Sequence, residues 1–145
     1  MKKTGLYIHF PFCRRACFYC HFFKRKLQTE KADSWLRHLG REMRLRRDPD
    51  LSLDTVYFGG GSPSLLTPGQ VATLLEAAAK HFGISDRPEI TLEANPEDLS
   101  LPLLKRLHSC GINRMSIGVQ SFQERDLRFL RRTHNAAQAL RAVAM

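Results

Sequence analysis

No apolar run in this 145-residue chain comes near the ~20 residues of a bilayer-spanning helix, which excludes an integral membrane protein. Cysteine is scarce too. Four cysteines are too few for a disulfide scaffold, and three of them fall within eight residues, so metal or redox chemistry comes first. Linkers, internal repeats and low-complexity segments are missing. Met1-Lys2-Lys3 is basic, but Gly5–Phe12 is a short strand-like run that leads into cysteines, with no small-residue cleavage site after it. A secretory signal is therefore not expected, and the cytoplasm is the expected location. Acidic residues are few, 14 Asp+Glu against 23 Lys+Arg, a net charge of +9. That balance would suit nucleic acid, yet the excess is split between the two ends around an acidic middle, residues 51–100. No RNA-binding or helix-turn-helix pattern accompanies it, so no nucleic-acid partner is expected.

The remainder, 43% apolar and 26% charged, is a foldable globular composition. Strand-like and helix-like segments alternate. Leu6–Phe10, Asp54–Phe58, Glu89–Ala94 and Arg114–Val119 read as strands, each stopped by proline, glycine or a polar turn. Trp35, Leu36, Leu39 and Met43 recur at helical spacing. Thr67-Pro68-Gly69-Gln70 carries an N-cap, a proline at the first helical position and the partner of a capping box. Ser100 caps a segment ending at Cys110-Gly111, Ser121 and Glu124 suggest another capping box, and Asn135 caps a last helix that runs to Met145. This βαβαβαβα order implies parallel strands and an α/β fold. Closed (β/α)8 barrels take ~250 residues, so a fragment or partial barrel of about four βα units over residues 1–145 is expected.

Cys13-Arg-Arg-Ala-Cys17-Phe-Tyr-Cys20 lies in the loop after the first strand. Thiolates three and four residues apart can converge on one inorganic core, and cysteine is the usual ligand of iron–sulfur clusters. A zinc site is the alternative, with His21 or His9 as fourth donor. Spacing alone ranks iron–sulfur ahead of zinc. Cys110, isolated at a helix end, reads as a small buried apolar residue, and His38, His81 and His108 as helix residues without chemistry.

The cysteine spacing, Tyr19 before the last cysteine, and Gly59-Gly60-Gly61 after the second strand resemble the radical S-adenosylmethionine (SAM) superfamily. Tyr7-Ile-His-Phe-Pro-Phe-Cys13, Phe58-Gly-Gly-Gly-Ser-Pro-Ser64, Leu92-Glu93-Ala-Asn-Pro-Glu97, Ser116-Ile-Gly-Val-Gln120-Ser-Phe122 and Arg132-Thr-His134 resemble its oxygen-independent coproporphyrinogen III oxidase branch. The resemblance implies the N-terminal portion of a partial TIM barrel. It implies Cys13, Cys17 and Cys20 as ligands of a 4Fe–4S cluster, with SAM on the open iron. It further implies SAM contacts from Tyr7, Tyr19, Gly60, Gly61, Ser62, Glu93, Gln120 and Arg132.

Members that are true oxidases follow the last cluster cysteine with Gly-Cys, whereas a heme chaperone branch usually has Asp-Phe. Here Cys20 is followed by His21-Phe22. The chain thus resembles the chaperone branch, with His21 one departure from its pattern and Arg131, where glycine is usual, a second. The implied ligand is heme or porphyrin, and the implied electron donor a flavodoxin or ferredoxin; recipient hemoproteins and a peripheral membrane contact are left open. The alternatives are a coproporphyrinogen III oxidase and, from another class, a zinc-stabilised nucleic-acid-binding module.

Overall fold

Residues 4–15 and 17–145 are described by the structure, a computed structural model; Met1-Lys2-Lys3 and Ala16 lie outside the described residues. Strand β1 (Thr4–Phe10) leads into β2 (Phe12–Cys13), which pairs with β3 (Arg25–Lys26) across the cysteine loop. Helix α1 (Thr29–Leu45), β4 (Leu53–Gly60), α2 (Pro68–Phe82), β5 (Ile84–Ala94), α3 (Leu101–Ser109) and β6 (Arg114–Ile117) follow. Two short helices, α4 (Glu124–Phe129) and α5 (Ala136–Ala144), come last. The main sheet runs β1-β4-β5-β6 with every pair parallel, so each strand lies beside the next one of that sheet along the chain. That stepwise order is the progression of a (β/α) barrel. The α/β parallel expectation holds.

Period-two alternation explains which side faces the helices. Ile8 and Phe10, Val56 and Phe58, and Ile90 and Leu92 are buried on one face. The stripe of α2, Val71, Leu74, Leu75 and Ala78, joins them in one core with Met43 of α1 and Leu107 of α3. Burying each large side chain of this kind contributes about 1.5–3 kcal/mol. The opposite face carries Tyr7, His9, Tyr57 and Glu93, a polar row left exposed or half-buried.

The expected caps at Thr67, Ser100 and Asn135 are present. Thr67 accepts the Gln70 N–H at 3.2 Å while the Gln70 amide oxygen accepts the Thr67 N–H at 2.9 Å. Asn135 and Gln138 form the same reciprocal box, and the Ser100 hydroxyl accepts the Leu103 N–H. Gly111 follows α3 with φ +108°, the left-handed end expected of that glycine.

Ser121 differs from its expectation. Helix α4 starts after Gln123, and Ser121 instead accepts the Gln123 N–H and donates to Asp126, while the Glu124 carboxylate accepts the Ala136 N–H. Gln120 has φ +67°, which turns the chain before Ser121 can reach an N-cap position. Strand β6 also ends at Ile117 rather than Val119, because tight turns from Val119 to Ile117 and from Ser121 to Val119 replace the ladder. Strand β5 starts five residues earlier than expected. Pro88 is compatible with extended backbone but cannot donate, and the register with β4 shifts there.

Candidate functional site

The cysteine loop is held at its base by backbone bonds. Arg25 N–H donates to Pro11 C=O at 2.6 Å and Leu27 N–H to Cys13 C=O at 2.9 Å, so the chain that leaves at Cys13 returns beside it. Cys20 N–H donates to Cys17 C=O and closes the tip. The glycine edge of β4 is stitched to the same loop through Gly61 N–H to Phe10 C=O at 2.7 Å and Ser62 N–H to Phe12 C=O at 2.8 Å. A Cβ on Gly61 would stand 2.5 Å from the Phe12 carbonyl oxygen, so the missing side chain lets the glycine edge meet the loop backbone. Gly60, at φ +110°, makes the turn that frees its N–H for Glu93.

A cavity of about 890 Å³ opens at the carboxyl ends of the strands. Cys13, Cys17, Cys20 and Tyr19 line it from the loop; Gly60, Gly61 and Ser62 from the end of β4; Glu93 from β5; and Gln120 and Arg132 from the segments after β6. Tyr7 does not line it. Its ring stacks on Tyr57 at 6.0 Å and its hydroxyl pairs with His9 Nδ1 at 3.2 Å, on the polar face of the sheet.

Arg132 is the most connected of these side chains. Its guanidinium donates to Asn95 Oδ1 at 2.8 Å, Gly118 C=O at 2.9 Å and the Tyr19 hydroxyl at 3.3 Å, and stands 3.6 Å from Cys17 Sγ. Its Nε is buried with no hydrogen-bond partner among the described residues. Glu93 is fixed by the Tyr57 hydroxyl at 2.7 Å and Gly60 N–H at 3.2 Å. Burial pushes the Tyr57 phenol up, and the hydrogen bond to the Glu93 carboxylate adds to this. Burial also pushes the Cys13 thiol up; a Ser62 hydrogen bond opposes the shift and the charges of Cys20 and Cys17 reinforce it. The Tyr19 phenol is raised by burial against the pull of Arg132.

Three residues of the site were given no role of their own by the sequence, although Asn95 and His134 lie in motifs that carry the resemblance. Asn95, read as a strand stop and quoted within the Leu92–Glu97 motif without a role of its own, bridges Arg132 and Ser62: its amide oxygen accepts from Arg132 at 2.8 Å and its amide nitrogen donates to the Ser62 hydroxyl at 3.0 Å. Asp98 accepts from Ser64 at 2.8 Å and pairs with Arg14 of the cysteine loop at 3.2 Å. His134 is buried between Glu97 and the Val119 carbonyl, which ties the turn before Gln120 to the segment holding Arg132. The signal that could have found them is the clustering of polar residues around Asn95-Pro96 at a strand's carboxyl end. Arg131 adopts φ +54°, so the backbone there keeps the left-handed geometry that glycine takes without strain.

The radical SAM superfamily pattern matches residues 7–145. The chain belongs to the radical SAM superfamily. This radical SAM chain is 40% identical over 144 residues to the mouse (Mus musculus) protein named radical S-adenosyl methionine domain-containing protein 1, mitochondrial, covering 98% of this chain and 33% of that protein. It is 37% identical over 142 residues to the heme chaperone HemW of Lactococcus lactis, covering 98% of this chain and 37% of that one. Among solved structures it resembles coproporphyrinogen III oxidase (HemN) from Escherichia coli, described as a radical SAM enzyme. The TM-score is 0.85 at 29% identity, over 97% of this chain and 33% of that one. The chain thus spans about a third of the length of the curated relatives it matches. No helix among the described residues is long and apolar enough to cross a membrane.

Superfamily membership implies a 4Fe–4S cluster and SAM, and the residues present fit both. The donors are three thiols opening into one cavity, whose volume lies within the range of cofactor sites. Among the described residues no three His, Cys, Asp or Glu side chains are gathered at single-ion spacing. The orphaned Nε of Arg132 is a buried donor that lacks an acceptor.

Proposed function

We propose that this chain is the cluster- and SAM-binding part of a coproporphyrinogen III oxidase-like radical SAM protein that works as a heme chaperone, delivering heme to hemoproteins. The observation that carries the reading is the convergence of three cysteine thiols, the glycine edge and Arg132 on one cavity. In this reading residues 1–145 are the N-terminal part of the radical SAM core domain. Cys13, Cys17 and Cys20 would hold the cluster, which with SAM bound would supply one-electron reductive chemistry.

The chain's own residues bind and orient. Glu93, held by Tyr57 and Gly60, offers its carboxylate to ribose hydroxyls. Arg132 carries a cation beside Cys17 and leaves Nε for an anionic group. Gly60, Gly61 and Ser62 present backbone at the cavity wall, with Tyr19 and Gln120 beside them. Tyr7, whose hydroxyl pairs with His9 beside the glycine edge, is the remaining proposed SAM contact.

The chaperone is favoured over the oxidase by two observations. Cys20 is followed by His21-Phe22, without a further cysteine, and the chain is 35–38% identical to several proteins named heme chaperone HemW. A flavodoxin or ferredoxin is the proposed electron donor. The cytoplasm is the proposed location, beside vertebrate relatives whose names say mitochondrial, and fractionation of the tagged chain tests it.

Anaerobic reconstitution with iron and sulfide is the experiment. The expected result is about four irons and four sulfides per chain, with visible absorbance lost in Cys13→Ala. Absorbance that survives Cys13→Ala, or zinc without sulfide, refutes the cluster assignment. Release of CO2 from coproporphyrinogen III by the reconstituted chain refutes the chaperone and restores the oxidase.

A further inference from the structure

Asn95, Pro96, Glu97 and Asp98 form one tight turn after β5, in which Asp98 N–H donates to Asn95 C=O at 3.1 Å and Leu99 N–H to Pro96 C=O at 3.3 Å. The ring of Pro96 fixes φ at the first step, and Pro96 and Leu99 are both buried, so the turn is anchored in the core. Its three polar side chains all leave it for other segments. Asp98, only 5% exposed, accepts from Ser64 at 2.8 Å and pairs at 3.2 Å with Arg14, which is 70% exposed. Asn95 joins Arg132 to Ser62. Glu97 accepts from Thr133 and pairs with the buried His134, which fixes the segment carrying Arg132.

These bonds reach the cysteine loop by three routes. Asp98 holds Arg14, the residue after Cys13. Arg132, held by Asn95, donates to the Tyr19 hydroxyl at 3.3 Å and stands 3.6 Å from Cys17 Sγ. Ser62, which takes the second Asn95 bond, is itself hydrogen-bonded to the Cys13 thiol. Among the described residues every hydrogen bond from residues 14–19 to segments beyond the loop runs to Asp98 or Arg132. The turn therefore ties down the stretch that the backbone bonds at the loop base leave free. A loop ordered only when metal arrives must lose its conformational freedom at that moment, whereas one pinned in advance has already lost it.

We infer that the Asn95–Asp98 turn is a clasp that sets the cysteine loop in place before a cluster is present, Asp98 acting on Arg14 and Asn95 on Arg132 and Ser62. Asn95 and Asp98 are positioning residues, since each acts through another side chain. The inference rests on the cluster reading and adds to it the groups outside the cysteine motif that hold the thiols.

The test is hydrogen exchange, read by mass spectrometry on the reduced, cluster-free chain, comparing peptides over the cysteine loop with peptides over α2. Arg14→Ala removes an exposed side chain, and Asp98→Asn keeps the size of the carboxyl and an acceptor for Ser64. Each is expected to speed exchange in the loop roughly two- to fivefold and to leave α2 unchanged. The double variant is expected to match the singles, because all three remove one interaction. Arg14→Lys keeps the cation and is expected to restore most of the protection. Asn95→Ala leaves both Arg132 and Ser62 short of a partner and is expected to speed loop exchange roughly tenfold or more. After anaerobic reconstitution the same rank order is expected in the rate at which an iron chelator bleaches the visible absorbance. Loop exchange equal to wild type in Arg14→Ala and Asp98→Asn, loosening shared equally by α2, or a double variant that sums the two effects overturns the clasp. The exchange measurement needs no cluster, so its failure sinks the clasp alone, whereas a wild-type chain that takes up no iron and sulfide sinks the cluster reading.

Discussion

Arg131 allows a backbone conformation to be weighed against a side chain. Its φ of +54° places it in the left-handed region, held there by Arg131 N–H to Arg128 C=O and Arg132 N–H to Leu127 C=O at the end of α4. For a residue with a Cβ that conformation costs about 1–2 kcal/mol. Glycine avoids the cost but returns about 0.4–1 kcal/mol through the greater freedom of its unfolded chain. Arg131→Ala and Arg131→Gly both lose the stacking on Phe18, about 0.5–1 kcal/mol at an exposed site, so that contribution cancels between them. The glycine variant is therefore expected to be more stable than the alanine variant by about 0.8 kcal/mol, the midpoint of the difference between these two contributions. For a chain of this size that is a difference of roughly 1–4 °C in Tm. The assay is thermal unfolding of both variants, reduced and cluster-free, followed by circular dichroism in one buffer. An alanine variant that melts at or above the glycine variant refutes the reasoning, because the backbone at this position would then not be held left-handed.

Glu93→Ala strands the Tyr57 hydroxyl and the Gly60 N–H and is expected to cost about 1–3 kcal/mol in chemical denaturation. Because the Glu93 charge also disfavours tyrosinate at Tyr7 and Tyr57, the same variant should ionise these phenols at lower pH, seen as earlier growth of tyrosinate absorbance. An unchanged titration contradicts the pairing. Cys13 should alkylate more slowly near neutral pH than a free cysteine, since burial raises its thiol and leaves less thiolate, and the rate should climb as pH rises; peptide mass spectrometry reads this. Thr67→Ala and Asn135→Ala should each lower stability by about 1 kcal/mol, and unaltered melting would mean that the capping boxes do not hold.

Much of the fold was legible because it depends on short-range patterns. The strand cores at Leu6–Phe10, Asp54–Phe58 and Glu89–Ala94, the boxes at Thr67 and Asn135, and the glycine end at Gly111 follow from alternation, capping and φ preference, which act over a few residues. Ser121 was misread for the complementary reason. Its serine-to-glutamate spacing fits a capping box, but the left-handed turn at Gln120 is imposed by the tertiary context around Val119 and His134, and it sends the hydroxyl to Asp126 instead. The pairing of β2 with β3 was equally invisible, since two-residue strands carry no periodicity.

The sequence by itself determined the chemistry on offer: three clustered thiols, a glycine edge, and an α/β chain of alternating strands and helices. These are properties of residue type and spacing, and they survive in any arrangement of the elements. Only the tertiary structure decided which side chains share the cavity. It placed Asn95 between Arg132 and Ser62, set Arg132 beside Cys17, and paired Tyr7 with His9. It also brought His21 and Arg131, more than a hundred residues apart in the chain, to one rim. Contacts at that separation depend on how parallel strands bring their carboxyl ends to a common edge, and no local pattern encodes that.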